Sequence, residues 1–141
     1  MAFAIDRPDT AFPLTHTRGK KRQRQEAKNH LAFIRELPCI ICGEMPVHAA
    51  HIRYGDMRHG KRETGMGEKP SDCWTVPLAP RFHTDGPEAQ HQGAERAFWV
   101  RHGIDPCEVA TKLWAVSGDH DAARMILQAV RDRQTGMEVG R

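Results

Sequence analysis

The chain lacks the features that would place it in a membrane or outside the cell. No apolar run approaches the length needed to span a bilayer. The first residues carry no basic region followed by a long apolar segment, so they do not resemble a signal peptide. Hydrophobic residues make up only 39% of the 141 positions, and the mean hydropathy is −0.64. The sequence therefore predicts a cytoplasmic protein with no transmembrane helix.

Cysteine is scarce, with four residues, and thiols stay reduced in the cytoplasm. A Cys39-x-x-Cys42 pair in that compartment indicates metal binding rather than a structural disulfide, but it supplies only half of a zinc site. A second pair would be expected in the turn after the second predicted strand, where Ala79 and Phe82 cannot act as ligands. The side chains left to complete a site are His48, Cys73 and His83.

Internal repeats and low-complexity segments are also absent, and the net charge of +3 is only mildly basic. The positive charge is nevertheless concentrated near the N-terminus, in Arg18, Lys20, Lys21, Arg22 and Arg24. Such a run can neutralise phosphates and so predicts a nucleic-acid contact. The alternative, which the charge alone does not exclude, is the solvated start of a helix.

The length is that of one domain, and the hydrophobic pattern predicts both helices and strands. We predict a flexible arm over 1–19, one domain over 20–133 with its core at 38–103 and C-terminal helices at 104–133, and a tail at 134–141. The predicted strands are 47–52 and 74–78, and the predicted helices are 21–37, 93–102, one that begins after Asp105, and one from Asp119 to about residue 132.

Histidine is the residue type that stands out, because five of the nine lie between positions 48 and 91. His51 lies at the end of a predicted strand, where it could take a proton from water near neutral pH. His83 and His91 follow the second strand, and a hairpin would bring them towards His51 as ligands for a divalent ion. A single histidine is more often a surface residue, so the argument depends on all three.

The loop predicted over 53–71 is rich in cations. Arg53 and Lys69 are candidates for contacts to phosphate, whereas Lys61 and Arg62 fit ordinary solvated charge better. Asp72 follows the loop, and three roles are open for it: orienting His51, binding metal, or capping the turn before the second strand.

Three motifs together resemble those of phage and prophage HNH nucleases, notably the Ref-like (RecA-dependent nuclease) and YbcO-like groups. The motifs are Ala50-His-Ile-Arg53, then Gly65-Met-Gly-x-Lys69-Pro-x-Asp72, then Pro77-Leu78 followed by His83. The resemblance covers about residues 38–105, roughly half of the chain, and the combination of motifs is more specific than either of the first two alone.

The resemblance implies an α+β fold with a small ββα-metal (HNH) hairpin-plus-helix core, an N-terminal helix and additional C-terminal helices. It implies that His51 is the general base, that His83 and His91 bind a divalent metal such as Mg²⁺, and that Asp72 lies near the place of the middle Asn. The sequence departs from the family at Ala50, where many members carry a further metal ligand. It also departs at the second cysteine pair, so only Cys39 and Cys42 match a structural Zn²⁺ site.

The first hypothesis from the sequence is a metal-dependent DNA endonuclease of the phage recombination type, with DNA as its substrate and a recombinase filament as a candidate partner. The alternative is a catalytically weak or inactive HNH-derived module that binds nucleic acid without cutting it. A third hypothesis is a zinc-knuckle adaptor that binds proteins through the turn around Cys39 and Cys42.

Overall fold

The sheet is a hairpin of two short antiparallel strands. The computed structural model describes residues 24–65 and 67–139. Strand β1 (His48–His51) pairs with β2 (Thr75–Leu78), so that His48 lies opposite Leu78 and His51 opposite Thr75. Both predicted strands are confirmed, and each is slightly shorter than predicted.

Four α-helices accompany the hairpin in the described part of the chain, and the α+β class predicted from the sequence is confirmed. They are α1 (Lys28–Arg35), α2 (Glu95–His102), α3 (Pro106–Ala115) and α4 (His120–Val139). Two of the predicted boundaries have caps: Gly103 ends α2 with a positive φ of 63°, and the Asp105 carboxylate accepts the Glu108 N–H at the start of α3. Helix α4 extends to Val139, beyond the end predicted near residue 132, where the apolar pattern of the sequence fades.

The first helix starts later than predicted, because the segment before it pairs with a loop. Residues 24–27 are not helical: the Gln25 C=O accepts the Asp72 N–H at 2.9 Å, and the Gln25 N–H donates to Ser71 Oγ. Backbone groups used in this way cannot make helical hydrogen bonds, so α1 begins only at Lys28. The predicted arm at 1–19 and the predicted first helical residues 21–23 lie outside the described residues.

The core is formed where the helices cover the hairpin. Helices α1 and α3 pack against the strands, and α4 packs against α3. The largest fully buried apolar side chains are Ile34, Leu37, Ile40, Ile52, Val76, Leu78, Phe98, Trp99, Leu113 and Leu127. They come from β2, from the residue that follows β1, from α1 to α4 and from the segment 37–40 that follows α1, so one core joins the hairpin to its helical surroundings.

Trp99 gives a direct test of this packing. Its side chain is 1% exposed, whereas the neighbouring Val100 on α2 is 78% exposed. We expect Trp99→Ala to lower the free energy of unfolding by about 3–5 kcal/mol, because it removes a buried aromatic ring and leaves a cavity. Val100→Ala is the control and should change it by less than about 0.5 kcal/mol. Urea denaturation measures both, and equal effects would contradict the arrangement of α2.

The loop between the strands is more ordered than the sequence indicates. It contains a 3₁₀ turn (Met57–His59) capped by the Asp56 side chain, and Asp56 pairs with Lys61 across this turn. The expectation of a solvated Lys61 is wrong. Its side chain is buried, its ammonium group donates to the Tyr54 C=O at 2.6 Å, and burial lowers its pKa. Arg62 remains exposed and pairs with Glu68.

Candidate active site

His51 and Asp72 form a hydrogen-bonded pair at the end of the hairpin. His51 Nε2 lies 2.8 Å from Asp72 Oδ1, and the His51 side chain is 25% exposed while that of Asp72 is 3% exposed. An ionised carboxylate can only accept hydrogen bonds, so His51 Nε2 must carry the proton. The other ring nitrogen, Nδ1, is then left in the neutral imidazole with a lone pair that can accept a proton.

Asp72 is held in its ionised form by three groups. Burial alone would raise its pKa, but the Ala27 N–H at 2.8 Å, His51 and the charge of Arg24 together bring the pKa below its usual value. The Arg24 guanidinium contacts Asp72 Oδ1 at 2.9 Å and also donates to the Pro70 C=O. The role of orienting His51, one of three left open by the sequence, is therefore the one that the geometry supports.

The depressed pKa of Asp72 makes stability depend on pH. Its carboxylate contributes stability above its ordinary pKa of about 4 and loses that contribution as the pH falls through the folded value. We expect the free energy of unfolding to fall on acidification from pH 6 to pH 3, and to fall less steeply in Asp72→Asn, which cannot titrate there. Denaturation curves across this range test the expectation. Equal slopes would show that Asp72 is not the group responsible.

Three histidines meet beside the hairpin. His48 lies on β1, His83 lies in a π-helical turn (Arg81–Asp85), and His91 lies in a 3₁₀ turn (Gln90–Gln92). His83 is at the centre: its Nδ1 lies 3.0 Å from His48 Nδ1, and its Nε2 lies 2.9 Å from His91 Nε2. The structure thus brings the two predicted metal ligands, His83 and His91, within hydrogen-bond distance and adds His48 to them.

The electrostatics around His83 and His91 favour neutral rings. Burial, followed by the neighbouring His91 and His48, lowers the pKa of His83 to about 4. Burial and the charge of Arg53 also lower the pKa of His91. A neutral imidazole nitrogen is the form that ligates a metal ion, so the donor chemistry of His83 and His91 fits a bound divalent cation.

A cationic cleft lies in front of His51. It has a volume of about 470 Å³, and its lining includes His51, Arg53, Lys69 and Arg24. Arg53 also lines a smaller cavity of about 70 Å³ beside His91. Arg53 therefore lines both the cleft at His51 and the cavity at His91. Arg24, predicted to bind nucleic acid, instead directs much of its guanidinium towards Asp72 and Pro70, and Arg18, Lys20, Lys21 and Arg22 lie outside the described residues.

Gln90 and Glu95 connect the two halves of the site. Gln90 Nε2 donates to the His51 C=O at 3.2 Å and to Glu95 Oε1 at 2.6 Å. Glu95 also accepts the Arg53 N–H at 3.1 Å. These bonds attach the turn that carries His91 to the end of β1. Sequence reasoning missed both residues, although an acid at the first position of α2 was a signal that could have indicated Glu95.

The Cys39–Cys42 turn is stabilised without further metal ligands. Cys39 is fully buried, and its sulfur accepts the backbone N–H groups of Ile41 and Ala79 at 3.4 and 3.3 Å. Phe82 packs against the core from the position where a second pair of ligands was expected. Among the described residues, no group of three metal-ligating side chains includes either cysteine.

A second place could hold a metal ion. Ligand atoms of Asp56, His59 and Asp105 lie within 4.8 Å of one another, and this is the one such group among the described residues. The Arg58 guanidinium already pairs with both carboxylates, at 2.7 and 3.5 Å, and His59 contacts Asp105 at 3.0 Å. The cluster is thus largely neutralised by its own side chains. The sequence did not predict it, because Asp105 functions as a helix cap and lies 46 residues from His59.

Fold and site together define an α+β protein with a histidine-rich centre next to a cationic cleft. The chain belongs to the family described as "Protein of unknown function (DUF968)", whose model matches residues 3–114. No curated protein and no solved structure matches it significantly. In the part of the chain that the structure describes, no helix has the length and apolarity to cross a membrane.

Proposed function

We propose that this protein is a metal-dependent endonuclease that hydrolyses phosphodiester bonds in DNA. The observation that carries the proposal is the pairing of His51 with Asp72, which leaves Nδ1 of His51 as a proton acceptor beside a cationic cleft. Arg53 of this cleft also lines a cavity beside His91, which belongs to the neutral His83–His91 pair. A base, a cation site and phosphate-binding side chains are the parts that phosphodiester hydrolysis needs. The hairpin followed by short helical turns also supports a ββα-metal core of the HNH kind.

In this proposal each part has one task. His51 Nδ1 takes a proton from a water molecule, which then attacks phosphorus, while Asp72 stabilises the imidazolium that forms. Arg53 and Lys69 bind the phosphate oxygens and stabilise the charge that builds up on them. A divalent ion held by His83 and His91 would supply Lewis-acid stabilisation of the phosphate and the leaving oxygen.

The test is nicking of supercoiled plasmid at low salt by the full chain. The protein is first stripped with EDTA and then assayed with Mg²⁺, with Mn²⁺, with Co²⁺ and with EDTA present. We expect conversion to open circles only when a divalent ion is added. His120→Ala is the control for purity and loading, because His120 lies at the start of α4 and contacts Glu36 rather than the site. Equal cutting in EDTA would contradict the proposed metal dependence.

The substrate and partner follow from the phage resemblance and are part of the proposal. If the plasmid remains intact, single-stranded DNA with a recombinase filament is the next substrate, since nucleases of the resembling type act in recombination. Nicking that appears only with the filament would support a recombinase-dependent enzyme.

The alternative, a module that binds nucleic acid without cutting it, has one observation in its favour. Ala50 is fully buried and provides no ligand at the position where many HNH nucleases have one. DNA binding that weakens steeply with salt but needs no metal, with no cleavage of any substrate, would support this alternative over the nuclease.

A further inference from the structure

His83 is restrained at both ring nitrogens by other histidines. Its Nδ1 lies 3.0 Å from His48 Nδ1, and its Nε2 lies 2.9 Å from His91 Nε2. The three rings stand edge to face, with centroids 5.2 Å apart for His48 and His83 and 4.6 Å apart for His83 and His91. The His48–His83 and His83–His91 contacts use different nitrogens of the His83 ring. An ion would therefore have two close donor atoms, His83 Nε2 and His91 Nε2, rather than three.

An ion bound at these two nitrogens would determine which ring nitrogen of His83 carries the proton. A neutral imidazole has one donor and one acceptor, and coordination uses the lone pair of His83 Nε2. The proton of His83 must then be on Nδ1, and the acceptor that faces it is His48 Nδ1. Histidines that ligate metals usually donate their second N–H to a carboxylate, a backbone carbonyl or water, and this bond fixes the ring and its tautomer. Here an imidazole takes that position.

The position of His48 on β1 allows it to accept this hydrogen bond from His83. His48 and Ala50 are two residues apart on the strand, so they project from the same face. Ala50 cannot contribute to the site, whereas His48 is exposed and reaches His83. His51, one residue beyond Ala50, projects from the opposite face towards Asp72. The strand therefore separates the residue that supports the metal ligand from the residue that takes the proton.

The donor set also discriminates between ions. The two ligands are imidazole nitrogens, and no group of three metal-ligating side chains in the described part of the chain joins a carboxylate to them. Mg²⁺ prefers oxygen ligands, whereas imidazole suits the later first-row transition ions. A centre built from these donors should therefore select against Mg²⁺.

We propose that the His83–His91 centre takes a transition ion of the Zn²⁺ or Co²⁺ class in preference to Mg²⁺, and that His48 is the positioning residue that sets the tautomer of His83. The inference rests on the metal centre of the proposed function, but it concerns ion binding and not DNA cleavage.

The experiment is a titration of the EDTA-stripped full chain with Co²⁺ in the absence of DNA, followed by its visible absorption, with Zn²⁺ and Mg²⁺ compared by calorimetry. We expect Zn²⁺ and Co²⁺ to bind and Mg²⁺ to bind at least about 10-fold more weakly. His48→Ala should weaken Co²⁺ binding by about 10- to 100-fold, and His48→Gln should restore part of it, because the amide oxygen can accept the His83 N–H. His83→Ala should remove the Co²⁺ spectrum.

His59→Ala is the matched control, because His59 belongs to the other candidate cluster with Asp56 and Asp105. It should bind Co²⁺ like the wild type, and loss of binding in this variant would overturn the assignment. Equal affinity in His48→Ala and the wild type would also overturn it, as would Mg²⁺ binding as tightly as Zn²⁺. Nitrogen-15 NMR of the Zn²⁺-loaded protein adds an independent readout: a proton on His83 Nδ1 is expected, and its absence would contradict the role of His48.

These outcomes are separable from the fate of the nuclease proposal. Selective Co²⁺ binding that depends on His48, in a protein that cuts no DNA, would support this inference and contradict the proposed activity. Metal-dependent nicking with no loss of Co²⁺ affinity in His48→Ala would support the proposed activity and contradict this inference.

Discussion

Replacement of His51 by alanine is expected to slow DNA nicking by about 10²- to 10⁴-fold, the range that a general base usually contributes. The imidazole is held by a carboxylate and lines the cleft, and alanine removes it together with its proton-accepting nitrogen. Asp72 would keep its bonds to Arg24 and to the Ala27 N–H, so the surrounding structure should survive. Plasmid nicking under single-turnover conditions measures the effect.

Two controls make this result specific. The far-ultraviolet circular dichroism of His51→Ala should match that of the wild type, and its Co²⁺ affinity should be unchanged. Because the cleft in front of His51 is open, added imidazole should restore part of the activity of His51→Gly. Full activity in His51→Ala would remove His51 from the mechanism.

Asp72→Asn is expected to have an effect of similar size, about 10²-fold or more, because the buried Asp72 carboxylate acts on the reaction through His51. The side-chain amide introduced by this substitution can donate to His51 Nε2, and that bond stabilises the tautomer with its proton on Nδ1. Nδ1, the nitrogen proposed to take the proton from water, would then be unable to accept it. The substitution also removes the charge that stabilises the imidazolium. The measurement is the single-turnover nicking rate as a function of pH.

A structural role alone would produce a different pattern. If Asp72 only held Arg24 and the Ala27 N–H in place, nicking should fall in proportion to the loss of folded protein and keep its pH profile. A changed profile in a folded variant is expected instead. Ser71→Ala is the control, because it removes a neighbouring bond to the Gln25 N–H and leaves the His51–Asp72 pair intact.

The hairpin and most helix boundaries could be predicted because they depend on local sequence. Asp105 and Gly103 act through their own backbone neighbourhoods, so their positions alone indicate where α3 begins and α2 ends. The contact of His83 with His48 also follows from the hairpin, because antiparallel pairing sets Leu78 opposite His48 and returns the turn after β2 to the start of β1.

The parts that could not be predicted depend on contacts between distant segments. The start of α1 depends on the loop at 70–72, about 45 residues away, because this loop forms hydrogen bonds with the backbone before the helix. No local sequence pattern predicts these hydrogen bonds. Lys61 can be buried because its ammonium group donates a hydrogen bond to the Tyr54 C=O. The composition of a basic loop does not predict this hydrogen bond. The sequence leaves His48 open as a ligand for a zinc site with the cysteines. In the structure the neighbour of His48 is His83, and the Cys39 sulfur accepts the backbone N–H of Ala79.

The short segment at residues 24–27 shows that secondary structure is a poor guide to where the protein can be shortened. A chain cut to begin at Lys28 would keep α1 to α4, β1 and β2. It would lose the Arg24 guanidinium and the Ala27 N–H, which hold the Asp72 carboxylate, and the Gln25 C=O, which holds the Asp72 backbone. The smallest fragment that keeps His51 in its observed orientation therefore begins upstream of α1.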